Sequence, residues 1–135
     1  MKKGYWKKYL DIPYKHLGRT REEGLDCYGI VLLYYKEVLG IELRDWWYEE
    51  GWSKKGCNHF LDRHESQNFK QVNDIKRHDI ILMKTDIHSE IPNHVAIMVE
   101  MPCFAIAGQR RGVSLLNFNA NALKRRVMGI YRCLS

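Results

Sequence analysis

Residues 26–40 read DCYGIVLLYYKEVLG, and this stretch decides the fold class. Asp26 is one of the residue types that cap helix N-termini. Gly40 follows the last periodic residue, where a glycine commonly ends a helix. The span between them is apolar on nearly every face, with Lys36 and Glu37 as the exceptions. A helix that is apolar all round is usually buried, so we predict a central buried helix that begins at Cys27.

The second half of the chain has a different pattern, in which turn residues separate short apolar segments that are typical of strands. The segments are IILMK (80–84), HVAIMVE (94–100), CFAIAG (103–108), GVSLLNF (112–118) and MGIYRC (128–133). Helices that precede a run of strands indicate an α+β fold. We therefore predict N-terminal helices packed on an antiparallel sheet of about five strands, drawn from residues 79–133.

The segments between these two regions are predicted from their breakers and aromatic residues. Residues 1–11 are expected to form a short helix or an arm, and residues 12–25 a loop. Residues 58–70 are expected to form a polar helix with a buried stripe at Phe60, Leu61 and Phe69. The segment 45–57 is rich in tryptophan and tyrosine, which could cover a cleft or stack on a sugar. We favour packing of these aromatic residues against the sheet.

Length and charge restrict the class of protein. A chain of 135 residues predicts one domain, spanning residues 1–135. Its 22 basic and 16 acidic residues give a net charge of +6, which favours polyanionic partners. There is no basic helix and no RNA-binding signature, so we expect an anionic cell envelope and no nucleic acid. No apolar run is long enough to span a membrane. The N-terminal residues lack the apolar core of a signal peptide, so we expect synthesis in the cytoplasm.

Cys27 is the first candidate for chemistry. It follows the predicted cap, so it lies on the first turn of the helix, where free N–H groups and the helix dipole favour a thiolate. A thiolate is the nucleophilic form of cysteine, and the same N–H groups could stabilise an oxyanion. A buried structural cysteine is the alternative at this position. The other cysteines are Cys57, Cys103 and Cys133, of which the last two are expected to be buried in strands.

His94 is the second candidate. It opens the strand HVAIMVE directly after a turn, where a side chain can reach a cleft and serve as a general base for a cysteine. A histidine in a surface turn is the alternative. His59 and His64 near Cys57 match no common zinc pattern, so we expect no metal and no cofactor.

The order of these motifs resembles the NlpC-type cysteine peptidases of bacterial cell walls, and most closely their phage tail members. Those proteins read PY-x-x-GGR, then DC-x-G-L-V with an apolar run, then NF-x-x-V, GD-I-x-L-M and NHVGI. This chain has PYKHLGR (13–19), DCYGIV (26–31), NFKQV (68–72), HDIILM (78–83) and NHVAI (93–97). The correspondence covers roughly residues 12–118. It implies a papain-like fold in which a helix carrying the cysteine packs on a sheet carrying the histidine.

The resemblance also implies roles for individual residues. Cys27 would be the nucleophile and His94 the base in the hydrolysis of amide bonds in peptidoglycan stem peptides, commonly next to D-γ-glutamyl. Tyr14 would line the site and help to hold the oxyanion or the substrate amine. Asp26 would pair with a free substrate α-amino group. The missing signal peptide fits a protein of the phage tail, which would have tail proteins as partners and act at the host cell wall.

The sequence departs from the family pattern at several positions. Leu17, His78 and Ala96 stand where the family has glycine. The third catalytic position falls near Ile106, an apolar residue, and the nearest polar side chain is that of Gln109. Gln109 therefore orients His94, or a shifted register supplies another group, or a backbone carbonyl does so. A missing orienting group lowers activity, so a weak or inactive tail component on the same scaffold is the alternative function, and an acyltransferase on this fold is a third.

Overall fold

The computed structural model describes residues 4–45, 47–48, 68–84 and 94–134. Its helical elements are a 3-10 helix, the helix α1, a π-helical turn that continues α1, and the short helix α2. They span Tyr5–Tyr9, Cys27–Tyr34, Tyr35–Leu39 and Asn121–Lys124. The strands β1 to β8 span Arg19–Thr20, Gly24–Leu25, Phe69–Val72, Ile80–Met83, His94–Glu100, Cys103–Gly108, Gly112–Asn117 and Val127–Cys133. None of the helices in the described ranges is long and apolar enough to cross a bilayer.

Helix α1 begins at Cys27 as the sequence predicts, and the π-helical turn that continues it ends at the predicted stop. The carboxylate of Asp26 accepts a hydrogen bond from the backbone N–H of Gly29 at 2.7 Å, which caps the N-terminus. The π-helical turn ends at Gly40, whose φ of 67° lies in the left-handed region that favours glycine. Most residues of α1 are buried, in keeping with its central position. The predicted loop at residues 12–25 is largely irregular and contains the β1–β2 hairpin.

In the described part of the chain, six strands form one antiparallel sheet in the order β3-β8-β4-β5-β6-β7. Five of them match the predicted segments to within one residue. The sixth strand, β3, begins at Phe69, within the range 58–70 where we predicted a helix. That prediction is therefore wrong at the C-terminal end of the range. Phe69 is buried and pairs with Cys133 of β8. This pairing with a strand that is distant in sequence makes the segment FKQV extended and not helical. Residues 58–67, with Phe60 and Leu61, lie outside the described ranges.

The central strands are buried on both faces, which explains why their sequences are almost continuously apolar. One face packs on α1 through side chains such as Leu82, Val95 and Ile97. The other face has its own cluster, centred on Ile81, Met98 and partners from the later strands. Burial of each such side chain contributes about 1.5–3 kcal/mol. This two-sided packing fixes the position of β5, and with it the start of that strand at His94.

Tyrosine hydroxyl groups connect the N-terminal helix to α1 and to the turn before β4. The Tyr34 hydroxyl lies 2.6 Å from that of Tyr5 and 2.8 Å from Nδ1 of His78. The Tyr5 hydroxyl also donates to the carbonyl of Val99, and the Tyr35 hydroxyl donates to the carbonyl of His78. These bonds join three segments that are distant in sequence, so the first turn of the protein is part of the packed structure.

We expect Tyr34→Phe to lower the free energy of unfolding by about 1–3 kcal/mol, because it removes the hydroxyl that bonds Nδ1 of His78 and one of the two bonds of the Tyr5 hydroxyl. Urea unfolding measures the change. Tyr9→Phe is the matched control. The Tyr9 hydroxyl donates to Glu37, which keeps its ion pairs with Arg21 and Lys8, so this loss should be about 1 kcal/mol or less. Equal losses in the two variants would contradict the prediction.

Candidate active site

Two glycines bring the loop at residues 17–19 against the N-terminus of α1. A Cβ atom on Gly29 would lie 2.2 Å from the carbonyl oxygen of Gly18, and one on Gly18 would lie 2.2 Å from the carbonyl oxygen of Gly24. Neither position has room for a side chain. The DCYG and LGR motifs are therefore in backbone contact, and this contact builds the floor of the site.

The carboxylate of Asp26 is the centre of this floor. Asp26 is 1% exposed, and it accepts four hydrogen bonds. Oδ1 accepts from the backbone N–H of Gly29 and from Nη1 of Arg19, the latter at 2.8 Å. Oδ2 accepts from the backbone N–H of Leu17 at 3.0 Å and from the hydroxyl of Tyr48. A carboxylate offers about four acceptor positions, and all of them are used.

Arg19 connects Asp26 to the segment that contains Tyr48. Nε and Nη2 donate to the two carboxylate oxygens of Asp45, at 2.9 and 3.0 Å. Nη1 donates to the Gly18 carbonyl as well as to Asp26, and Nη2 also donates to the Tyr48 hydroxyl. All five N–H donors of this guanidinium are therefore engaged. The hydrogen bonds to Asp45 and the negative charge of Asp26 raise the pKa of Arg19, so it stays charged although burial acts in the opposite direction.

Tyr48 packs over Asp26. Its side chain is 3% exposed, its ring meets that of His16 edge to face, and its carbonyl lies 2.9 Å from Nε2 of His16. Tyr48 is buried, as a packing role requires, and it contacts His16, Arg19 and Asp26 beside the N-terminus of α1. A packing role does not hold for Trp47, which is 73% exposed. Trp46 and Trp52 lie outside the described ranges.

Cys27 is on the first turn of α1, as predicted, and it is 5% exposed. The backbone N–H groups of Val95 and Tyr28 lie beside its sulfur and act to lower the pKa of the thiol. Since Val95 follows His94, the N-terminus of α1 and the start of β5 meet at this sulfur. Burial raises the pKa of the Cys27 thiol to about 12, and the charge of Asp26 adds to the rise. The expectation of a thiolate is therefore wrong for this state, because desolvation outweighs the helix N-terminus.

His94 is neutral in the same state. Burial lowers its pKa to about 4, although the negative charge of Asp26 acts in the opposite direction. Nδ1 of His94 is buried and has no hydrogen-bond partner among the residues that the structure describes. A neutral imidazole with an unused ring nitrogen can accept a proton, as a general base must. In the described state Cys27 is therefore a thiol and His94 a neutral imidazole.

The other candidates occupy different surroundings. Tyr14 forms an isolated bridge with Leu25, two residues before Cys27, so its backbone lies close to Cys27 in the fold. Gln109 is exposed in the turn between β6 and β7, and no hydrogen bond joins it to Nδ1 of His94. Ile106 packs with the second apolar cluster. The catalytic roles of Cys27, His94 and Gln109, and the substrate contacts of Tyr14 and Asp26, stay predictions.

The remaining cysteine and histidine candidates are only partly covered by the described residues. Cys103 and Cys133 lie in strands as predicted, but both are partly exposed where burial was expected. In residues 4–45, 47–48, 68–84 and 94–134, no group of three or more His, Cys, Asp or Glu side chains could hold a metal ion. Cys57, His59, His64 and His88 are outside these ranges.

The loop, the capped helix and the strand that begins at His94 occur in this order in a known family. The model of the NlpC/P60 family matches residues 11–132. The chain belongs to the NlpC/P60 family. This family consists of cysteine peptidases, which agrees with a cysteine at the N-terminus of α1. Comparison with curated proteins finds no match.

Solved structures confirm the fold. An NLP/P60 family protein similar to lipoprotein, from Staphylococcus aureus, superposes with a TM-score of 0.65 at 21% identity, over 95% of this chain and 38% of that one. An NlpC/P60 family protein from Bacillus cereus gives 0.65 at 22%, over 96% and 38%. The NlpC/p60 domain of the peptidoglycan hydrolase SagA gives 0.60 at 17%, over 93% and 91%. This chain thus spans about 38% of the length of the first two.

Two of the departures from the glycine pattern of the family keep a backbone conformation that favours glycine. Leu17 and His78 stand at glycine positions, and both keep a positive φ, of 59° and 76°. This conformation is unfavourable for residues with a side chain. Hydrogen bonds offset the cost: the N–H of Leu17 donates to Asp26, while His78 bonds the Tyr34 hydroxyl through Nδ1 and accepts at its carbonyl from the Tyr35 hydroxyl. The backbone geometry of the site is therefore retained without the glycines.

Arg19 and Tyr48 are the residues of the site that sequence reasoning missed. Arg19 ends the PYKHLGR motif, and a charged residue directly after a tight loop was a signal that could have indicated a buried partner. Tyr48 had a weaker signal, because it is one of several aromatic residues in its segment and the motif pattern does not include it.

We expect Gly29→Ala to destabilise the protein by about 1–3 kcal/mol, because the new methyl group would overlap the Gly18 carbonyl. At an ordinary helix position the same change would stabilise by about 1 kcal/mol. Thermal or urea unfolding measures the difference. Gly108→Ala serves as the control, since a Cβ there meets nothing within 4 Å, and it should change stability by about 0.5 kcal/mol or less. A stabilised Gly29→Ala variant would refute the backbone contact.

We also expect burial of His94 to make stability depend on pH. Below its ordinary pKa of 6.5 the unfolded chain binds a proton at this residue, whereas the folded protein does not until about pH 4. Stability should therefore be fully present above pH 6.5 and fall as the pH drops towards 4, by up to about 1.4 kcal/mol per pH unit. His94→Gln cannot take up the proton, so it should show a shallower slope in urea unfolding. His78, whose pKa burial also lowers, remains in both proteins. Equal slopes would contradict the burial of His94.

Proposed function

We propose that this protein is a cysteine peptidase that cleaves amide bonds in the stem peptides of peptidoglycan. The observation that carries the proposal is the contact between Cys27 and Val95, because it places the thiol at the start of the strand that carries His94. Membership in the NlpC/P60 family supports this assignment. The SagA domain, described as part of a peptidoglycan hydrolase, is similar over nearly its full length.

The proposed reaction begins from the neutral pair. His94 accepts the proton of the Cys27 thiol while the sulfur attacks the amide carbonyl, so that a C–S bond forms. N–H groups at the N-terminus of α1 stabilise the oxyanion, with Tyr14 in the supporting role that the resemblance implies. The C–N bond then breaks, and the leaving amine takes the proton from His94. Water, deprotonated by His94, hydrolyses the acyl-enzyme and restores the thiol.

The finer assignments rest on the resemblance. We propose cleavage next to D-γ-glutamyl and a place in a phage tail, with tail proteins as partners. The protein would be made in the cytoplasm and act at the host cell wall. NFKQV (68–72) supports the link to the phage members, and its last four residues form β3. The net charge of +6 favours binding to an anionic envelope.

A second candidate function is a tail component with little or no activity. Two observations favour it: Ile106, which stands at the expected third position, packs with the second apolar cluster, and Gln109 makes no bond to His94 Nδ1. Without an orienting partner the imidazole is a less effective base. The two candidates differ in one measurable property, which is turnover of peptidoglycan.

We expect the purified protein to cleave peptidoglycan sacculi and release soluble fragments. Mass spectrometry of these fragments detects the new amino termini. Cys27→Ala and His94→Ala should each lower the rate by at least about a thousandfold, because each removes a partner of the proton transfer. Cys103→Ala is the matched control, since Cys103 lies in β6 and has no part in the reaction, so it should retain the rate. If the wild type releases no more amino termini than Cys27→Ala does, the result favours the inactive tail component.

A further inference from the structure

We infer that Tyr48 determines substrate specificity: its hydroxyl fills the last acceptor position of Asp26, so the site binds peptides without using a free α-amino group. The inference rests on the proposed peptidase function. The inference differs from the amine-binding role that the family resemblance implies for Asp26. Peptides with an acylated N-terminus, as in stem peptides that are still attached to the glycan, therefore fit as well as peptides with a free one.

The hydrogen bonds of Asp26 leave no place for an ammonium group. An ammonium carries N–H donors and no acceptor, so it binds a carboxylate only at a free lone pair. Both oxygens of Asp26 already accept two donors each, from Gly29, Arg19, Leu17 and Tyr48. Three of these donors belong to the backbone contact or the buried ion pair. Only the Tyr48 hydroxyl comes from a side chain without charge.

The charge next to Asp26 also opposes an amine. The guanidinium of Arg19 lies 2.8 Å from Oδ1 and neutralises the carboxylate. A substrate ammonium at Oδ2 would approach that guanidinium closely, because Nη2 of Arg19 donates to the same Tyr48 hydroxyl at 3.0 Å. Like charges at such a distance repel, most strongly where water is excluded. Asp26 is therefore a positioning residue, which caps α1 and holds Arg19.

Tyr48 is held in place by contacts other than its bond to Asp26. His16 contacts its carbonyl, and the Arg19 guanidinium stacks over its ring at 5.6 Å from the centroid. Asp45, three residues earlier in the chain, is bound by two N–H groups of Arg19. Displacement of the hydroxyl by a substrate would disturb this whole set of contacts.

The test uses a matched pair of peptides, L-alanyl-D-γ-glutamyl-L-lysine with a free amino terminus and its N-acetyl derivative. We expect the wild type to cleave the two with kcat/KM values within about threefold of each other, because Asp26 has no acceptor position left for the amine. Calorimetry with the full-length Cys27→Ala variant should give dissociation constants within the same factor. A preference for the free amine of about tenfold or more in either measurement would overturn the inference.

Variants of two neighbouring tyrosines test the role of the hydroxyl. Tyr48→Phe frees one acceptor position of Asp26, so the preference for the free-amine peptide should rise by about threefold or more, the value of one hydrogen bond. Tyr28→Phe is the control, because the Tyr28 hydroxyl donates to the carbonyl of Arg44 and not to Asp26, and its ratio should equal that of the wild type. An unchanged ratio in Tyr48→Phe would overturn the assignment to Tyr48.

The outcomes separate this inference from the function on which it rests. If neither peptide is bound by Cys27→Ala nor cleaved by the wild type, the proposed peptidase function is rejected, and the inference with it. If both are cleaved but the free amine is strongly preferred, the peptidase function stands and the inference alone is rejected. The wild-type comparison needs no variant of Tyr48, so it decides the matter even where Tyr48→Phe does not fold.

Discussion

The hydrogen bonds to the buried carboxylate of Asp26 are the interactions on which the rest of the site depends. A buried carboxylate is tolerated only when charge and hydrogen bonds compensate its loss of hydration. Here one carboxylate caps α1, accepts a hydrogen bond from the backbone N–H of Leu17 and binds Arg19. Arg19 in turn binds Asp45. Three segments are thereby fixed around the first turn of the helix. The position of the Cys27 sulfur against Val95 follows from this arrangement.

Much of the fold could be predicted because its decisive signals are local. The N-cap at Asp26, the stop at Gly40 and the apolar runs of the later strands each depend on a few neighbouring residues, and each was correct. The strand at Phe69–Val72 was not predicted as such. Its pairing with β8 joins residues about sixty positions apart, so the sequence around Phe69 alone does not contain it. Long-range pairing overrides local propensity at such places.

The site was less predictable than the fold. Sequence position placed Cys27 at a helix N-terminus correctly, but the ionisation of its thiol depends on how much water surrounds it, and that is set by packing. Nor could the sequence show that the acceptor positions of Asp26 are filled, since Tyr48 is 22 residues away. Leu17 and His78 replace glycines and still keep positive φ values, so a search for glycines alone misjudges the backbone at both.

The ion pair between Arg19 and Asp26 has a consequence for the conditions under which the site keeps its shape. Dissolved ions screen charges that face the solvent, but they reach a pair whose carboxylate is 2% exposed only weakly. Surface pairs such as Lys15 with Glu23, both more than half exposed, weaken as the ionic strength rises. The geometry around the first turn of α1 is therefore insensitive to salt. An increase in ionic strength weakens the exposed ion pairs before it affects the pair between Arg19 and Asp26.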